Sequence, residues 1–246
     1  MSTWGQRFPQ LFFGLVVVAA GVAFSGTAVG DGIGTRDDQE MISVTGSARK
    51  RITSDTVLWR ASVTSSQPTP EAASRELARW VDRVTSFLYD AGAEEDEVRV
   101  DPISTEMIRE YLENKGETGR IVGYRLTRAF EIRSSRVGEI TGIVQQSGAL
   151  LAEGIPLTAE PPQYLYAQLA DIRPELQAAA SRDATTRGRR LVEAAGGRLG
   201  ALAGVSAGVF QITAPNATDT SSEGIYDTST IEKDITAVVR LTFGLS

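Results

Sequence analysis

Two residue types are missing from the 246-residue chain: histidine and cysteine. Their absence removes imidazole bases, Ser-His-Asp triads, thiolate nucleophiles, Fe–S clusters and every zinc site built from His or Cys. Lysine is scarce too, with Lys50, Lys115 and Lys233 standing against 22 arginines. A serine nucleophile would have to take its base from that short list, and no acid, base or nucleophile assignment follows from the residues. The chain is therefore expected not to be an enzyme, with no catalytic, cofactor-binding or metal-binding residue assigned and no small-molecule substrate predicted. The missing thiols leave the redox compartment open, because an oxidising compartment permits disulfides without requiring them. A formal net charge of -6 argues against nucleic acid as a partner, since that would need a dominant basic stripe. The arginine excess suits a surface laced with Arg to carboxylate pairs, although a codon-composition bias would give the same count.

Charge is also missing from one long stretch: 23 consecutive residues between Arg7 and Asp31 carry none. Within it "LFFGLVVVAAGVAFSGTAVG" is apolar and long enough to cross a hydrocarbon core. Residues 1–30 are expected to form an N-terminal transmembrane anchor, meeting the lipid bilayer through residues 8–30. Arg7 and the amino terminus lie on one side, and Asp31, Asp37, Asp38 and Glu40 on the other. The positive-inside rule then puts the N-terminus in the cytoplasm and the main domain on the periplasmic or extracytoplasmic side of the inner membrane, single-pass. A cleavable signal peptide is the rival reading, because Ser25 and Ala28 are small residues of the kind that precede a cleavage site.

Residues 31–41 read as a Gly-rich, acidic linker. Gly32-Ile33-Gly34 has no strand before it and no helix after it, so it is not a phosphate loop. From Ile42 the pattern is regular. "ISVTGSA" and "TVLWRASV" alternate with the period of half-buried strands, the second placing Val57, Trp59, Ala61 and Val63 on one face, and the two are expected to be sheet neighbours. "TPEAASRELARWVDRVTSFLYDAG" switches to helical period, with Thr69 as N-cap, Pro70 at the first position and Gly92 closing it. Strands follow around "EVRVDPISTEMI" and "IVGYRLTRAFEI". A shorter helix covers Val137 to Ser147 with Ser135 as its cap, and a strand lies near "EGIPLT". "QYLYAQL" reads as a strand with Tyr164 and Tyr166 on one face. A long helix capped by Asp171 comes next, with Pro174 in its first turn and Ile172, Leu176, Ala179, Ala180, Leu191, Val192 and Ala195 on its apolar side. "RLGALAGVSAGVFQIT" is a strand whose glycines mark a bulge or a close approach of backbones. "DITAVVRLTFGL" alternates cleanly. Between these last two, "APNATDTSSEGIYDTSTIEK" is a polar loop well beyond the usual length, either disordered or a contact arm.

This order, strands and helix repeated, suggests two roughly equivalent halves. The runs "ISVTG", "AGAEEDEVRV", "GYRLTRAFEIR" and "LVEAAGGRLG", in that order, resemble the SIMPL domain (DUF541) family, which includes bacterial periplasmic immunogenic proteins. The resemblance covers residues 42–246, and with the N-terminal anchor it is similar to a membrane-anchored branch. It implies an α+β fold of two ββαββ-type halves with mainly antiparallel sheets packed by helices, an extracytoplasmic location, a homo-oligomer of ring or channel shape and a link to envelope or oxidative stress, and it implies no catalytic residue.

The remaining candidates are interfaces. Tyr164 and Tyr166 present aromatic rings to a packed helix or a neighbouring subunit. Arg187, Arg189 and Arg190 form a basic stretch of the long helix that suits anionic lipid, polymer or another subunit, against the plainer reading of an exposed face with local pairs. Arg128 sits among apolar neighbours on its strand, either snorkelling from a sheet edge or pairing with an acid such as Asp101 or Glu131. "EEDE" at 94–97 lacks the alternating ligands of a calcium loop and reads as a solvated connection. The expectation is a self-assembling, membrane-anchored envelope protein; the alternative is a binding module for an envelope polymer, peptide or lipid.

Overall fold

A computed structural model describes residues 40–114 and 116–246 of the chain. The expected anchor at 1–30 and the linker up to residue 39 lie outside the described residues. Among the described residues no helix is long and apolar enough to cross a membrane.

The chain runs through β1 (Met41–Thr53), β2 (Thr56–Gln67), α1 (Pro70–Asp90), β3 (Val98–Val100), β4 (Ser104–Leu112) and β5 (Gly116–Ser134). It continues through α2 (Val137–Gln146), α3 (Gly148–Ala152), β6 (Leu157–Ala159), β7 (Gln163–Leu165) and α4 (Leu169–Ala194). It ends with β8 (Leu199–Ala207), β9 (Gln211–Thr213), β10 (Ile225–Tyr226) and β11 (Glu232–Leu245). Two sheets result. One has the order β3-β5-β2-β6, with β4 also on β5 and β7 also on β2. The other has the order β1-β11-β9-β10, with β8 also on β11. Every pairing is antiparallel except that of β10 with β9.

This corrects two expectations. β1 and β2 are not sheet neighbours: β1 pairs along its whole length with β11, and β2 with β5. Only Ser54 and Asp55 separate them, but neither has the positive φ that tight hairpin turns require. The Ser54 amide donates to Ile231 O at 2.8 Å and the Asp55 amide to Leu165 O at 3.0 Å, so the chain steps from one sheet to the other. Nor are there two sequential halves. Residues 56–165 build the first sheet alone, whereas the second draws its strands from both flanking segments.

The first sheet buries the alternating face of β2 (Val57, Trp59, Ala61, Val63) and Leu126, Phe130 and Ile132 of β5 under α1 and α2. α1 is capped as expected, with Thr69 Oγ1 accepting from the Ala72 amide at 3.3 Å, and its stripe of Ala73, Leu77, Val84, Phe87 and Leu88 faces that core. α2 begins without the Ser135 cap: Ser134 Oγ instead accepts from the Arg136 amide at 2.8 Å.

The second sheet packs the inward face of β11 (Ile235, Ala237, Val239, Leu241, Phe243) against α4. The buried residues of α4 recur every fourth position: Ile172, Leu176, Ala180, Ala184, Gly188 and Val192. Leu191, expected on the buried side, is 58% exposed. The small residues allow close contact with β1, where a Cβ on Gly46 would sit 2.3 Å from both Ala180 O and the Ala184 amide nitrogen. α4 starts at Leu169, before the expected Asp171 cap, and Pro174 lies inside it, leaving the Ala170 carbonyl without its intrahelical partner. The glycine-rich stretch is two strands, and β8 carries the expected irregularity, a register shift against β11 near Phe243. A Cβ on Gly200 would meet Gly244 O at 2.7 Å, the expected close approach of backbones.

Candidate functional site

The two tyrosines do not share a face. β7 stops at Leu165, which frees the backbone to turn between them. Tyr164 is 7% exposed in the core of the first sheet, its hydroxyl 3.2 Å from Thr141 Oγ1. Tyr166 packs against the core of the second sheet, and its amide donates to the Tyr226 hydroxyl at 3.2 Å. They seal the junction between the sheets from opposite sides. Asp55 supports the same junction: its Oδ1 accepts from the Ala167 amide at 2.9 Å, whereas its Oδ2 and Ser54 Oγ are buried with no partner among the described residues.

The arginines also separate. Arg187 is held by Asp183 at 2.8 Å one turn earlier, and Asp183 Oδ2 also accepts from the Ser47 amide of β1 at 2.9 Å. Burial raises the Asp183 pKa, but these two donors outweigh it and leave the carboxyl below its ordinary range. Arg189 and Arg190 stand exposed on the outer face of α4 with no ion pair among the described residues. Arg128 pairs with neither expected acid. Asp101 is bound by Arg99 at 3.0 Å, and Glu131 by Arg60 at 2.8 Å. Arg128 is not at a sheet edge either, since β5 lies between β2 and β4, and its buried Nε has no partner among the described residues.

The "EEDE" run is structural. It forms a short 3-10 turn with a capping box between Glu94 and Glu97. Glu97 turns inward to Arg136, whose guanidinium, assisted by the Ser134 hydroxyl at 2.5 Å, holds the carboxyl down at about 2. The same arginine also reaches Glu139 at 2.7 Å and Gly92 O at 3.0 Å, so it ties α1, the turn and α2 together.

The polar loop before β11 is held by hydrogen bonds to β9 and β11 and contributes β10, which corrects the expectation of disorder. Gln211 Nε2 donates to Ser221 O at 2.7 Å, the Asn216 amide to Asp234 Oδ2 at 3.1 Å, and the Asp227 amide to Ile212 O at 2.9 Å. Lys233, absent from the sequence-derived candidates, is the loop's internal post. It is fully buried, its ammonium donating to Thr230 O and, at 3.4 Å, to Asp227 Oδ2. Burial lowers the Lys233 pKa against the pull of Asp227. Burial pushes Asp227 up, but hydrogen bonds from Ser229 and Thr230 and the lysine's charge bring it well below the carboxylate range. Lys233 occupies the inward phase of the β11 alternation, and that lysine at an apolar position was the available sequence signal.

The loop roofs a cleft of about 410 Å³ lined by Leu169 and Arg173 of α4, Phe210, Ile212, Glu223 and Tyr226. The Arg173 guanidinium lies 5.5 Å from the centre of the Phe210 ring. No conventional catalytic set lines it. One Ser-x-x-Lys spacing exists, Ser47 to Lys50, but it lies on β1, where residues three apart point to opposite faces. Lys50 is engaged by Glu175 at 3.0 Å. Among the described residues no group of three or more acidic side chains is placed to hold a metal ion.

Apolar surface is more conspicuous. In the β4–β5 hairpin Met107, Tyr111, Ile121 and Val122 are 53%, 73%, 42% and 44% exposed. On β8, Leu202 and Val205 stand opposite the inward-facing Phe243 and Leu241 of β11, yet are 53% and 64% exposed. In both places a face that is helix-covered nearer the core continues beyond the helix.

A mixed α+β domain of mainly antiparallel strands covered by a few helices, with apolar sheet face left uncovered, is thus the class of protein. Residues 42–243 match the family described as SIMPL, Protein of unknown function (DUF541), and the chain belongs to that family. No curated protein matches it.

Proposed function

We propose that this chain is a non-catalytic, self-assembling protein of the cell envelope. Its N-terminal segment anchors it in the inner membrane, and its SIMPL domain, on the extracytoplasmic side, associates into a homo-oligomer. The observation that carries the reading is the apolar surface of β8 and of the hairpin. Burying such surface gives roughly 25 cal/mol per Å², and exposed contiguous patches of this kind mark contact sites. β8 also lacks two of the usual defences of an edge strand, since neither a charged residue nor a proline falls between Leu199 and Val209. The uncharged stretch at 8–30 supports the anchor. The test is the mass of the detergent-extracted full chain by multi-angle light scattering, with membrane fractionation beside it. The reading expects a discrete oligomer in the membrane fraction, and a soluble monomer would sink it.

A second reading has its own observation, the cleft beneath the polar loop. Arg173, Glu223 and Tyr226 ring an apolar floor there, the composition of a small ligand-binding site. On that reading the domain is a binding module for an envelope polymer, peptide or lipid. Arg173→Ala separates the two: it would abolish ligand capture under the second reading and leave the oligomer unchanged under the first.

A further inference from the structure

The β4–β5 hairpin extends beyond the sheet that it begins in. β2 pairs with β5 only as far as Gln67 opposite Tyr124. From Gly123 back to Gly116, β5 therefore has β4 on one side and no described strand on the other. The outer side of β4 is likewise unpaired among the described residues. Met107 stands opposite Tyr124, in phase with Leu126 and Phe130, which lie in the core beneath α1, but α1 does not reach it. A register shift after Ile108 bends the ribbon there, and Tyr111, Ile121 and Val122 carry the apolar surface on toward the tip. The arm thus combines free backbone edges with an uncovered apolar face.

We propose that this arm docks against the same arm of a second copy of the chain about a two-fold axis, joining strand edges and burying the two apolar faces together. The inference rests on the self-association proposed above and names its interface. Charge favours this occupant. Between residues 104 and 125 acids and bases number four each, in a chain of net charge -6. The pairs Glu106–Arg125, Glu110–Arg120 and Arg109–Glu117 neutralise one another within the arm. Two copies can meet there without the repulsion that the rest of the surface would impose. A basic or acidic partner finds no complementary field on a balanced arm, and a bilayer surface would call for a cationic rim. A standard interface buries about 800 Å² per partner, and the strand edges add to what the exposed apolar side chains of the arm bring toward it. Antiparallel edge pairing satisfies main-chain groups that water otherwise holds, and an isologous contact closes on itself.

The cysteine-free sequence makes the test direct. Met107→Cys, Tyr111→Cys and Ile121→Cys are introduced singly into the full chain in detergent and treated with a short bismaleimide. Leu191→Cys, exposed on α4, serves as control. Covalent dimers with at least one arm cysteine, and none with the control, are expected. The double variant Met107→Glu, Tyr111→Glu should weaken self-association at least about tenfold, with circular dichroism unchanged. An oligomer that persists by light scattering in the double variant and yields no arm cross-link overturns the arm interface while leaving self-assembly standing. A monomeric parent chain overturns both.

Discussion

Glu97 illustrates how one side chain acquires its role from its surroundings. Four acids in a row invite a reading as solvated charge, and for Glu95 and Asp96 nothing more is needed, whereas Glu94 caps the turn and lies 3.6 Å from Arg136. The fourth is turned inward by the 3-10 capping box and meets Arg136. Its carboxyl sits at about 2, down from 4.5, chiefly through the arginine's hydrogen bonds. A depressed carboxylate contributes stability that is complete above its unfolded pKa and is lost as pH falls through the folded value. The window here runs from pH 4.5 down to about 2. Arg136 is partly open to water, so the contribution is about 1–2 kcal/mol and not the full amount the shift implies. Glu97→Gln should cost that much at neutral pH and flatten the stability profile across the window, as followed by urea unfolding at a series of pH values. An unaltered acid limb would show that another carboxylate governs it. The sequence could not single out Glu97, because the partner lies 39 residues away and nothing local marks the pairing. Lys233 was more accessible to reading, since a lysine in the inward phase of a clean alternation must find a partner or a cost.

Local period was legible wherever one element decides its own face. The alternation of β2 and β11 and the stripe of α1 are fixed by their own side chains, and the structure buries those residues. Pairing was not legible, because the step from β1 to β2 is set by hydrogen bonds to Ile231 and Leu165, far along the chain. α4 lies between these cases. An ordinary amphipathic stripe predicts Leu191 inside, but the helix is placed by its small residues, Ala180, Ala184 and Gly188, against β1. Gly46 is the counterpart on the strand, and any Cβ there collides with helix backbone that cannot swing aside. Gly46→Ala should therefore destabilise the domain by about 1–3 kcal/mol through overpacking, read from chemical denaturation. A neutral effect would mean that α4 can move away from β1 at no cost.

At the scale of the molecule, the two sheets differ in how they depend on the chain. The first is contiguous from Thr56 to Leu165 and has its own core under α1 and α2. The second requires β1 to find β11 across almost the whole domain, with Met41 opposite Gly244 and Thr53 opposite Glu232. Loop-closure entropy makes such pairing late. Residues 56–165 expressed alone should give a dispersed NMR spectrum, and residues 169–246 alone should not. Failure of the first fragment to fold would show that the junction around Tyr164 and Ile231 is needed by both sheets.

The same β1–β11 ladder sets how the domain bears load. Met41 and Leu245 lie at one end of an antiparallel pair, and the Leu245 amide donates to Glu40 O at 2.8 Å. Tension applied between the two ends of the domain would strain the rungs one after another, like a zip, and never all at once in shear. The domain should peel open at low force when pulled at its termini, and resist far more when it is gripped at Thr53 and Leu245.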